Sequence, residues 1–192
     1  MTDEIEQTRK EFLAFRDDCI WLVTVFNNHQ NLFDRGPETD ELLVKVAGWF
    51  FMDFSIVSQE YFAVLVGRLT DPASKGKYAN LSVDYVLAQL DSLDLSTEAI
   101  GQIADDINLY SKNTLEARNK LVAHRDRDTI LNPRPPKEWP KIEATQFVRN
   151  INSFCNLVAV QLELEPLDFL ATPAKGDAID LIKFLKATGG NR

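Results

Sequence analysis

Apolar residues recur at spacings of three and four along most of the chain, and period-two alternation is nearly absent. From Asp3 to Asn28, residues Ile5, Phe12, Phe15, Cys19, Leu22, Val23 and Phe26 form the stripe of an amphipathic helix. The NNHQN run beyond it predicts a terminus, with His29 beside the last carbonyls. DRGPETDE, Asp34 to Glu41, reads as a turn and an acid-rich helix start with Pro37 near the first position. A second helix follows, from Glu38 to Leu69, and it is apolar almost all round. Trp49, Phe50, Phe51, Met52, Phe54, Ile56, Val57, Tyr61, Phe62, Val64 and Leu65 predict the buried centre of a bundle. Asp53 and Glu60 share a face of this helix with Arg68 close to the same line, and burial there would require an ion-pair partner.

Leu69 to Ser82 carries Asp-Pro and Gly signals of a loop. Asn80 or Ser82 can cap a third helix, Leu81 to Leu93, with Val83, Val86, Leu87 and Leu90 facing inward. The fourth opens at Ser96 to Glu98 and has Ile100, Ile103, Ile107, Tyr110 and Leu121 on its core side. A long loop from Arg125 to Lys141 holds Pro133, Pro135, Pro136 and Pro140, none of which a helix interior tolerates. Loops of that length are often functional. A fifth helix, about Glu143 to Leu164, carries Phe147, Ile151, Phe154, Val158 and Leu162, and a weaker element spans Asp177 to Lys186 before a loose GGNR tail. The expected architecture is all-α: an up-down bundle of four to five helices with short extra helices. Residues 1–165 form the helical domain and 166–192 a C-terminal helical extension and tail.

Composition changes this picture little. At 192 residues, 45% hydrophobic and 26% charged, the chain can bury a full core. Cys19 and Cys155 lie outside any metal-ligand or CxxC spacing and read as core residues in a reducing compartment. The charged N-terminus lacks a signal region, and Asp53, Gln59 and Glu60 interrupt the most apolar stretch, so a cytoplasmic protein without a membrane span is expected. A net charge of −8 argues against broad nucleic-acid binding. Yet Arg118 to Arg149 holds eight basic residues against four acidic ones (Asp126, Asp128, Glu138 and Glu143), which suits local capture of an anion.

The candidate chemistry sits at the start of that basic window, in LEARNKLVAHRDRD, Leu115 to Asp128. Arg118 offers a planar fork for phosphate oxygens, Asn119 an orienting amide, and His124 an acid/base with a pKa near working pH. RNA cleavage through the substrate's own 2′-hydroxyl needs these functions: a base, an acid and positive charge on the phosphate. It needs no metal, and no ligand cluster or cofactor motif is evident. Residues six apart on an ideal helix point about 120° away from each other, so Arg118 and His124 converge only if the helix ends before His124 or the arginine folds across. One domain supplies one good histidine for two proton transfers, which motivates a symmetric homodimer. The plainer alternative has Arg118 bridging a carboxylate and His124 at a helix C-terminus.

R-N-K-L-V-A-H late in a long helix resembles the signature of the HEPN superfamily: Arg, a polar residue, a few variable positions, then His. With VGRLTDPASKGKYANLSVDYVL upstream, the chain resembles more narrowly the abortive-infection U-type branch, over roughly residues 5 to 165. The resemblance implies a helical bundle that dimerises with its motifs facing, and a metal-independent RNase of toxin–antitoxin or antiphage systems that leaves a cyclic phosphate. Arg118, Asn119 and His124 would then be catalytic, with Lys120, Arg125 and Arg127 contacting RNA. An antitoxin or regulatory protein is a further implied partner. The competing class is a non-catalytic helical module that binds a protein or nucleotide.

Overall fold

The first helix, α1, spans Thr2–Phe33 and outruns the expected stop at Asn28. The reason is tertiary. Asn27 donates to the Leu170 carbonyl (2.9 Å) and Asn28 accepts from Ala178 N (3.4 Å), so these residues tie the helix to the C-terminal region instead of capping it. Beyond them Leu32 is buried against Leu43, Phe51 and Ile182, which holds the last turn in place. The computed structural model describes residues 2–117, 141–170 and 174–189.

The remaining elements are α2 (Pro37–Thr70), a hairpin of β1 (Ser74–Lys75) and β2 (Tyr78–Ala79), α3 (Val83–Ser92), α4 (Glu98–Ala117), α5 (Lys141–Gln161) and α6 (Ala178–Gly189). Among the described residues this is the expected all-α bundle, with one unexpected two-stranded hairpin in the loop after α2. Gly76 turns the hairpin at φ +65°, a conformation open to glycine. Asn80 closes it by donating to the Pro72 carbonyl (2.8 Å), which leaves Ser82 to cap α3 by accepting from Tyr85 N (3.3 Å). Asp177 caps α6 through Ile179 N and Asp180 N.

Two pairs fix α1 and α5 as antiparallel. Phe15 meets Phe154 edge-on at 6.0 Å, and Arg9 donates to the Leu162 carbonyl (2.8 Å). On its other side α1 runs antiparallel to α2, through Trp21–Tyr61, His29–Ser58 and Phe33–Phe54. The predicted stripes of α1, α3, α4 and α5 form the main core, where Phe12, Phe15, Leu90, Ile100, Ile107, Phe147, Ile151 and Phe154 are essentially inaccessible. Asn152 and Asn156 accept from Phe169 N and Leu167 N, seating the segment after α5 so that Phe169 joins this core.

The second helix departs most from expectation. It bends at Ala47 (φ −161°, ψ 62°), beside Gly48, a poor helix former. Its first part turns onto α6 and the end of α1 as a small second core. The rest is buried only along Phe51, Ser58, Phe62, Ala63, Leu65, Val66, Gly67 and Leu69. Trp49 is 80% exposed and Phe50 62%, and Met52, Phe54, Ile56 and Val57 are exposed as well. The helix is therefore not the buried centre of the bundle: α1 and α4 cover one side and leave its outer faces open. Asp53, Glu60 and Arg68 are exposed too, so no buried ion pair is required of them.

Cys19 and Cys155, distant in sequence, meet in the core as free thiols joined by a hydrogen bond. Burial, then the contact with Cys155, pushes Cys19 well above the usual thiol range. Burial and the hydrogen bond to Glu11 (3.0 Å) likewise raise Tyr85. Both groups are neutral when folded, so their stabilisation is complete below the unfolded pKa, about 8.5 for a thiol, and is lost as pH rises through the folded value. Two results are expected: native protein resists thiol alkylation until denatured, and its urea midpoint falls between about pH 8 and 10, less steeply in Cys19→Ala. Rapid alkylation of native protein would contradict the assignment.

Candidate active site

Arg118, Asn119, Lys120, His124, Arg125 and Arg127 all fall between Ala117 and Lys141, outside the described residues. So do Leu121, the four prolines of the long loop and the expected helix end before His124. Helices α4 and α5 flank this segment on its two sides.

On its N-terminal side α4 carries Ile107 and Tyr110 into the core. Tyr110 stacks on Phe147 of α5 with ring centroids 4.4 Å apart, and Phe147 meets Phe62 of α2 edge-on at 6.4 Å. Phe62 in turn lies 5.5 Å from Phe26 of α1. Four helices thus converge on one aromatic cluster, and the same cluster anchors α4 before the segment and α5 after it. Ala144 and Val148, buried beside Phe147, secure the α5 side. One residue beyond Tyr110, the Ser111 hydroxyl lies 2.5 Å from that of Thr70 at the end of α2. The Thr70 hydroxyl also lies 2.7 Å from the Val66 carbonyl, and its bond to Ser111 ties the end of α2 to α4.

The other histidine has a different position from the one its neighbours suggest. His29 lies inside α1, not at a terminus. Its Nδ1 is hydrogen-bonded to Ser58 Oγ at 2.8 Å, and that hydroxyl also lies 3.0 Å from the Ser55 carbonyl. The ring also packs 5.0 Å from Phe33. This histidine joins α1 to α2. Among the described residues no group of three His, Cys, Asp or Glu could hold a metal ion, and no helix is long and apolar enough to cross a membrane.

A family model described as AbiU2, of the HEPN group, matches residues 5–181, from the first turn of α1 to the start of α6, including the whole of the segment between α4 and α5. The chain belongs to the AbiU2 family of HEPN proteins. Comparison with curated proteins and with solved structures gives no match. Family membership makes this an abortive-infection HEPN-type protein, and Arg118, Asn119 and His124 lie within the matched range.

One feature with no counterpart in the sequence reading is the open apolar side of α2. Periodicity could not have shown it, because a helix apolar all round carries no sign of which sides its neighbours leave uncovered.

Proposed function

We propose that this AbiU2-family chain is a metal-independent endoribonuclease working as a homodimer. The observation that carries the reading is the Arg118-Asn119 pair followed by His124 within a chain matched to the family over residues 5–181. The guanidinium of Arg118 binds the scissile phosphate, Asn119 orients it, and His124 moves protons. The substrate 2′-oxygen attacks phosphorus and gives its proton to one imidazole. The P–O5′ bond breaks, and a second imidazole, from the partner subunit, protonates the departing 5′-oxygen. The products are a 2′,3′-cyclic phosphate and a free 5′-hydroxyl. Lys120, Arg125 and Arg127 add the charge that holds RNA against the acidic bulk of the protein. An antitoxin or other regulatory protein controls the activity in the cell.

The competing reading, a non-catalytic interaction module, draws on the exposed aromatic side of α2. Growth separates the two. Induced expression of the wild-type chain is expected to arrest growth, and His124→Ala to relieve the arrest at equal protein level. Unimpaired growth on wild-type expression, or equal toxicity of the variant, favours the module.

A further inference from the structure

We infer that the hairpin between α2 and α3 is a contact for single-stranded RNA, with Tyr78 stacking on a base and Lys77 meeting an adjoining phosphate. The choice of RNA as ligand rests on the nuclease reading proposed above, to which the hairpin adds residues that hold the substrate.

The hairpin is built to be stiff. Ser74 pairs with Ala79 and Lys75 with Tyr78, so Gly76 and Lys77 form a two-residue loop. Gly76 takes the first loop position at φ +65°, the glycine-first pattern of tight turns whose twist matches that of the strands. Below the strands, Asn80 N donates to the Ala73 carbonyl (2.9 Å). Lys77 therefore stands at the apex, and Tyr78 opens the returning strand.

Tyr78 takes no part in the core. Tyr61 and Tyr85 are hydrogen-bonded to Trp21 and Glu11, and Tyr110 is buried, whereas Tyr78 is 67% exposed. Lys77 Nζ lies over its ring, 5.3 Å from the centroid, a cation–π contact that holds the two side chains together. An open aromatic ring beside an ammonium suits single-stranded nucleic acid: the ring stacks on a base and the cation meets the backbone. Local charge agrees. From Arg68 to Ala79 three basic residues (Arg68, Lys75 and Lys77) stand against one acid, Asp71, in a chain of net charge −8. A polyanion is drawn to this arm and repelled by most of the remaining surface.

Position ties the hairpin to the candidate chemistry. Thr70, just before it, bonds Ser111, and Asp84, just after it, accepts from Asn108 Nδ2 (2.9 Å). Both partners lie within one turn of α4. That helix runs on to Ala117, about 9 Å beyond Ser111 at ~1.5 Å per residue, and Arg118 is the next residue in sequence. A strand of RNA held at the end of α4 is then only a few nucleotides from the hairpin.

Binding is measured by fluorescence anisotropy, with the full-length chain and a labelled single-stranded RNA of mixed sequence. The RNA carries 2′-O-methyl groups throughout, which leaves no 2′-hydroxyl to attack. Tyr78→Ala is expected to weaken binding by roughly 5–100-fold, the worth of one stacked base, and Tyr78→Phe, which keeps the ring, to restore most of the loss. Lys77→Ala should flatten the slope of log Kd against log salt by about 0.7, one phosphate contact on a single strand. Both side chains are exposed, so melting temperatures should match wild type. A wild type that does not bind this RNA, or Tyr78→Ala binding as tightly as wild type, overturns the inference. Cleavage of the unsubstituted RNA is followed in parallel. Tyr78-dependent binding without cleavage keeps the hairpin contact and removes the nuclease. Cleavage with a KM indifferent to Tyr78→Ala keeps the nuclease and removes the contact.

Discussion

His124→Ala is expected to lower RNA cleavage in EDTA by roughly 10²–10⁴-fold, the usual contribution of a positioned general acid or base. The variant keeps the fold, because the main core of α1 to α5 is assembled from residues far from position 124 in sequence, such as Phe15, Leu90 and Phe154. Arg118→Ala should fall by a comparable factor, and Arg118→Lys should recover little of it. A lysine keeps the charge but loses the two-pronged fit to phosphate oxygens. Wild-type activity is expected to be bell-shaped in pH around the imidazole range, since one histidine must be neutral and the other protonated. The measurement is a single-turnover cleavage rate on tRNA or mRNA with chelator present. A rate within a few-fold of wild type for His124→Ala removes that residue from the chemistry.

Phe147→Ala should be the most damaging change outside the motif. The side chain is 1% exposed and is touched by rings from two other helices, Tyr110 of α4 and Phe62 of α2. Deleting a buried phenyl ring lowers stability by about 3–5 kcal/mol, through lost transfer energy and the cavity left behind. For a chain of this size that is a fall of roughly 10 °C in melting temperature. Tyr110 also loses its stacking partner, so α4 is held less firmly just before the segment that carries Arg118 and His124. Cleavage is therefore expected to drop further than the folded fraction alone explains. Val160→Ala, at a solvent-facing site of the same helix, should change stability by less than about 0.5 kcal/mol. A Phe147→Ala loss below about 1 kcal/mol would contradict the anchoring role.

Much of the fold could be read from residue spacing. The stripes on α1, α4 and α5 point where the sequence places them, because each of those helices has one apolar side and one polar side. Ser82, as one of two candidate caps, also proved to be the cap of α3. Two features escaped for physical reasons. The asparagines at 27 and 28 favour a helix end locally, but their side chains bond to Leu170 and Ala178, residues remote in sequence. On α2 the all-round apolarity concealed which residues α1 and α4 would bury, so Trp49 and Phe50 were expected inside and lie outside. The cysteine pair is a third case. Cys19 and Cys155 were legible as core residues, but their contact follows only from the pairing of α1 with α5. The candidate site shows the opposite balance. Its residue types and spacing carry the chemical proposal by themselves, and the structure adds the aromatic frame on either side of it.

The most direct test of the nuclease proposal is the chemistry of the cut ends. Full-length protein is incubated with a defined RNA in excess EDTA, alongside the same RNA carrying 2′-deoxyribose on the 5′ side of the cleaved bond, and fragments are weighed by mass spectrometry. The account predicts 2′,3′-cyclic phosphate and 5′-hydroxyl termini from the RNA and no cut at the deoxy position. Fragments ending in 3′-hydroxyl and 5′-phosphate, or cleavage of the deoxy-substituted bond, would contradict it.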